Sequence, residues 1–172
     1  MTTPRFAIRS TDEDDWELER ELRLSQLTEN SLWFSETLDE ALAYPDDQWK
    51  MRARRGSQPQ GVRLVALEPA TGRWLAIMGG YVGTLVNGEA TPLLVSVYVR
   101  HEIRGSEIGI TDALLRAVEE WAATQGDQIA LTVHEDNARA IGAYAKRGFV
   151  DLGGRRPHAG NRGNAIEMIK SF

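Results

Sequence analysis

The sequence predicts an α/β domain of the α+β kind, a mixed sheet flanked by helices, and three observations carry that prediction. Runs rich in valine, leucine and isoleucine at 62–68, 74–82 and 92–99 are separated by turn signals at Pro69-Ala70-Thr71-Gly72 and Asn87-Gly88. Ile110, Leu114, Val118 and Trp121 recur every three or four residues and set one apolar stripe on a helix. The last of those strands feeds this helix through the loop 100–106, and a second strand and helix follow at 129–134 and 137–147.

Taken in order, 6–9 is a short strand. Thr11 or Asp12 caps the next helix, with Asp14 and Asp15 in its first turn and Trp16, Leu18, Leu22, Leu24 and Leu27 as its apolar positions. A weaker helix at 32–44 ends before Pro45, since the residue preceding proline disfavours helical geometry. The basic stretch 46–55 forms a further helical turn. The three strands come next, then the 110–124 helix closed by Gln125-Gly126. The 137–147 helix stops at Gly148, and strands at 149–152 and 165–169 close the chain across a loop rich in glycine, arginine and proline. No repeat or linker interrupts the 172 residues, so the expectation is a single domain over 1–172.

Composition narrows the chemistry. With 42% apolar and 26% charged residues the chain reads as an ordinary globule. The absence of cysteine excludes a thiol nucleophile, a disulfide frame and a thiolate metal site. A formal charge of −5 argues against nucleic acid, because no general basic field attracts phosphate backbones. The first ten residues hold no signal-length apolar core and no later run is long enough to span a bilayer, which predicts a cytoplasmic protein without a membrane partner. An anion must therefore be held locally. The turn carrying Arg104, Gly105 and Gly109 provides for it, because the first N–H groups of the following helix lack partners and sit at its positive end.

The stretch Arg104-Gly105-Ser106-Glu107-Ile108-Gly109, followed by Ala113-Leu114-Leu115, resembles the acyl-CoA signature of the Gcn5-related N-acetyltransferases. In that family the turn reads Arg/Gln-x-x-Gly-x-Gly/Ala, and its amides hold the pyrophosphate of coenzyme A. Glu107 stands at the family's middle glycine and His101 where the family commonly has proline. A second stretch, from Asn137 through Ala140 and Tyr144 to Gly148-Phe149, is similar to the family's Asn-x-x-Ala-x-x-x-Tyr-x-x-x-Gly-Phe. Read alone, Asn137 serves equally as a helix cap, Tyr144 as core and the glycines as turn residues. Their joint spacing favours a functional role.

The resemblance implies the family's mostly antiparallel mixed sheet, acetyl-CoA as acyl donor and no metal. It implies that an amide of Val97, Tyr98 or Val99, at a bulge, meets the thioester carbonyl, and that Asn137 contacts the pantetheine arm or a nearby water. Tyr144, on one helix face with Ala140, becomes the general acid, its phenol of ordinary pKa about 10 set against a thiol of about 8.5. The general base is left open: Thr132 takes the place of a glutamate used by related ribosomal-protein acetyltransferases, and His134, Glu135 and Glu102 are the nearby candidates. Trp33, Phe34 and Trp49 fall in the family's acceptor region but read more simply as packing of two short helices. Glu36, Asp39 and Glu40 are equally an ammonium attractor or a solvated face. The expected acceptor is a primary amine of a small molecule, a simple amine or an amino-acid-like compound. The alternatives are a protein N-terminal or lysine acetyltransferase, and a binding or regulatory module whose use of CoA is impaired by Glu107. The family's habit of pairing implies a homodimer.

Overall fold

The computed structural model describes residues 5–30, 33–105, 109–158 and 163–172. Seven strands form one sheet: β1 (Ala7–Ser10), β2 (Gly61–Leu67), β3 (Trp74–Thr84), β4 (Ala90–Val99), β5 (Gln128–His134), β6 (Val150–Pro157) and β7 (Asn164–Ser171). The order across it is β1-β2-β3-β4-β5-β7-β6. Every neighbouring pair is antiparallel except β4 and β5. The two predicted turns close the β2–β3 and β3–β4 hairpins, with Gly72 and Gly88 at φ +73° and +85°, a region that glycine enters without steric cost.

Helices cover both faces. On one, α4 (Ile110–Ala122) buries Ile110, Leu114, Leu115, Val118 and Ala122 against Leu64, Met78, Leu94, Ile129 and Leu131 of the sheet. The Trp121 ring lies so close to β3 that a Cβ at Gly80 would fall 2.6 Å from it. The short α5 (Ala138–Ala145) adds Ile141 and Tyr144 to the same cluster, and Gly148 at φ +92° ends it. On the opposite face, α1 (Trp16–Asn30) packs Leu22 against Val65, Trp74, Ile77 and Tyr98. Leu27 joins α1 to α2 (Leu38–Leu42) and α3 (Asp46–Ala53) around the fully buried Trp49, so that tryptophan is packing, as the simpler reading had it.

Of the two candidate caps, Asp12 caps the first helical segment, in a reciprocal box with Asp15, while the Thr11 hydroxyl donates to Ala53 O at 2.8 Å. Three expectations change. The helix predicted over 32–44 shrinks to Leu38–Leu42, because Thr37 and Glu40 form a capping box that fixes its start; position 32 lies outside the described residues. Leu18 is exposed, and the inner face of α1 carries Glu19 and Gln26 beside Leu22 and Leu27. The predicted loop after Leu152 is strand as far as Pro157, its register shifting between Asp151 and Arg155.

Candidate active site

Two departures from a regular sheet open a cleft. Pairing of β3 with β4 jumps from Gly79↔Val95 to Ile77↔Tyr98, so Met78 faces two residues, Ser96 and Val97. This is a β-bulge, and Ser96 carries it with φ +55°, the one non-glycine residue at positive φ among those described. In that register neither Ser96 nor Val97 has a one-to-one partner on β3. The extra residue also rephases the strand: Val97 and Val99 face α4, while Tyr98 faces α1. The second departure is that β5 is in register with β4 only at Leu93↔Ala130, so the two strands part beyond that point. A cavity of about 990 Å³ lies in the gap, walled by β4, β5, α5 and the ends of α1 and β6.

Most of the residues singled out from the sequence meet there. Val97, Tyr98, Val99, Arg104, Gly105, Asn137, Ala140 and Tyr144 all line the cavity. Of the three candidate amides only Val97 lies in the bulge, since Tyr98 pairs with Ile77 and Val99 with Ala76. The Tyr98 hydroxyl donates to Glu29 at 2.7 Å on the other face of the strand. Arg104 is committed to its own fold: Nε donates to Val99 O at 2.7 Å and Nη2 to Glu29 at 2.6 Å, which ties the turn to β4 and α1. Gly105 and Gly109 have φ of +69° and +75°, with nothing within 4 Å of where a Cβ would stand. Gly109 heads α4 without a side-chain cap, so no N-cap side chain occupies the first-turn amides. Ser106, Glu107 and Ile108 lie outside the described residues.

Asn137 caps α5, its side-chain oxygen accepting from Ala140 N at 3.1 Å, so only its NH₂ group is left for a ligand. The Tyr144 ring packs edge-on against Phe149. Burial, opposed only by nearby Arg147, pushes its hydroxyl up to about 12. At neutral pH the Tyr144 hydroxyl therefore keeps its proton, and its match to a thiol of about 8.5 is looser than an ordinary phenol's.

The candidate bases all have other work. Nδ1 of buried His134 accepts the Asp136 N–H at 3.1 Å, so the neutral ring carries its proton on Nε2. Glu135 accepts from Asn164 N at 2.7 Å. Glu102 is paired with Arg73 on the surface. Thr132 lines the cavity but does not titrate. Sequence reasoning missed Arg23, Gln26, Ser96, Arg139, Arg156 and His158, all on its wall. The one available signal was polar spacing on α1, where Glu19, Arg23 and Gln26 follow at helical intervals.

Comparison with known proteins gives the arrangement a context. The profile of the acetyltransferase (GNAT) family matches residues 16–149. No curated protein sequence matches. Among solved structures, a GCN5-related N-acetyltransferase from Kribbella flavida aligns at TM-score 0.73 and 20% identity over 98% of both chains. The PaiA N-acetyltransferase of Thermoplasma acidophilum, solved with coenzyme A, aligns at TM-score 0.71 and 18% identity over 100% of each chain. A ribosomal-protein-S5-alanine acetyltransferase from Vibrio fischeri aligns at TM-score 0.76 and 13% identity, covering 99% of this chain and 95% of that one.

Proposed function

The chain belongs to the acetyltransferase (GNAT) family, and on that premise we propose that it transfers an acetyl group from acetyl-CoA to the primary amine of a small molecule by direct attack, with Tyr144 as general acid. The observation that carries the reading is the single cavity in which the β4 bulge, the head of α4 and Tyr144 converge.

The residues present fit acetyl-CoA. Uncapped amides at the start of α4, beside open space at Gly105 and Gly109, suit a diphosphate. The parted strands leave β4 an edge along which an extended pantetheine arm can pair. The bulge supports the Val97 N–H as the donor to the thioester oxygen, on which negative charge develops under attack by the amine. The Asn137 NH₂ steadies the arm. The attacking nitrogen forms its bond to carbon, the carbon–sulfur bond breaks, and the Tyr144 hydroxyl delivers a proton to the departing sulfur. Among the described residues neither His134, Glu135 nor Glu102 is disposed to take the ammonium proton, so it leaves through water.

Likenesses of 13–20% identity show the fold alone and do not choose the acceptor. We place the protein in the cytoplasm and as a homodimer; no helix among the described residues is long and apolar enough to cross a membrane. The deciding experiment incubates the protein with acetyl-CoA and a panel of small amines and a peptide, and follows free thiol. Release with small amines supports the proposal; release only with the peptide favours a protein acetyltransferase. Acetyl-CoA binding without release favours a binding module.

A further inference from the structure

A second, smaller cavity of about 150 Å³ lies beneath α1 and meets the large cleft at Arg23, Gln26 and Ser96, beside the bulge. Its wall carries the guanidinium groups of Arg23, Arg52, Arg55 and Arg63. Two carboxylates answer them. Glu19 accepts from Arg63, and Glu36 accepts from both Arg23 and Arg52. Arg55 has no ion pair among the described residues, so two positive charges are left over. Arg55 stands at the exposed rim of the cavity, and partial burial, then the neighbouring guanidinium groups of Arg63 and Arg52, lower its pKa.

An independent sign comes from Gln26, 3% exposed, whose Nε2 has no hydrogen-bond partner. Its orientation is fixed, because Oε1 accepts from Arg23 Nη1 at 2.7 Å and the reversed amide would set NH₂ against a cation. A buried donor without an acceptor is costly. Beside uncompensated guanidinium groups, what it lacks is an oxyanion.

We propose that this cavity binds the carboxylate of the acceptor, so that the substrate is an amino acid whose carboxylate rests between Arg55 and Gln26 and whose amine points through the Ser96 gap at the bulge. The inference rests on the acetyl-transfer reading and sharpens it. Arg63 and Arg52 are held in bidentate pairs and set the field, while Arg55, Nη2 of Arg23 and Nε2 of Gln26 have donors to give. Leu22 and Ile77 on the same wall accommodate a few carbons. Peptide N-termini and simple amines lack the anion and are disfavoured.

The test follows thiol release from acetyl-CoA with a panel of L-amino acids, each beside its own amide, on wild type and on Arg55→Gln. Intrinsic reactivity works against the proposal, since the free carboxylate stabilises the unreactive ammonium form. A preference for the acids therefore reports binding. We expect at least one acid to exceed its amide about tenfold or more in kcat/KM, and Arg55→Gln to cut that ratio roughly 10- to 100-fold, the worth of a charge-assisted bond. Turnover with amides equal to or better than every acid, or an unchanged ratio in the variant, overturns it. Calorimetry with the N-acetyl amino acids and their amides gives a readout that needs no turnover. If no amine releases thiol the transfer reading fails, and tighter binding of the N-acetyl acids, weakened in Arg55→Gln, still supports the anion subsite. Equal binding of acids and amides sinks it.

Discussion

Replacing Glu19 by glutamine strips the counter-charge from Arg63, and the structure allows the cost to be sized. The two side chains are 1% and 8% exposed, and Arg63 binds the carboxylate through both Nε and Nη2. Its remaining nitrogen reaches Ser96 Oγ at 2.9 Å, so the pair links α1 and β2 to the bulge. Removing one member of a buried pair typically costs 3–5 kcal/mol, because the other charge stays behind without compensation. For a domain of this size that is a fall in Tm of roughly 6–20 °C. Differential scanning calorimetry at neutral pH measures it. A double variant, Glu19→Leu with Arg63→Met, removes both charges and should recover most of the loss, since a matched apolar pair is often neutral. If Glu19→Gln melts within about 2 °C of wild type, which is under about 1 kcal/mol, or if the double variant is no better than the single, the reasoning about this pair is wrong.

Further outcomes follow from the same geometry. Tyr144→Phe should lower turnover by roughly 10²–10⁴, the usual worth of a placed acid, with acetyl-CoA saturating; an unchanged rate removes its role. Glu36 is pushed up by burial but held overall at about 2 by hydrogen bonds from Arg52, Arg23 and Tyr44. Its folded pKa lies below its unfolded value, so its stabilisation is present above pH 4.5 and is lost as pH falls toward 2, amounting to about 3 kcal/mol. Denaturant melts between pH 5 and pH 2 should show a flatter dependence in Glu36→Gln; an identical slope refutes the assignment. Gly80→Val drives a branched side chain into the Trp121 ring and should destabilise the fold by about 1–3 kcal/mol, read as a lower urea midpoint; an unchanged midpoint means the ring yields freely. From the sequence, Glu107→Gly should tighten CoA binding, a carboxylate near a phosphate being repelled by up to about 4 kcal/mol. Equal or weaker calorimetric affinity rejects that.

Much of this architecture was legible because local signals and packing agree. The α4 stripe of Ile110, Leu114 and Val118, the Asn87-Gly88 turn and the Asn137–Gly148 helix with its cap and stop all sit where their residues place them. The family's spacing also brought Val97, Asn137 and Tyr144 forward together. What stayed hidden has a common cause: polar groups buried by long-range partners. Helix α1 reads as a broken stripe because Glu19 and Gln26 occupy inner positions, and Arg63, which pairs with Glu19 and ties it to Ser96, lies far away in sequence. Ser96 gives no warning of a bulge, since serine within an apolar run carries no left-handed preference. Strand β6 runs through Gly153 and Gly154 only because β7 pairs with it across a register shift.

The most direct test of the central claim is calorimetric titration of the native protein with acetyl-CoA. The cleft between β4 and β5 predicts saturable binding of one molecule per chain, weakened when the Val97 to Tyr144 region is altered. No binding heat, together with no thermal shift at millimolar acetyl-CoA, would contradict the account at its root.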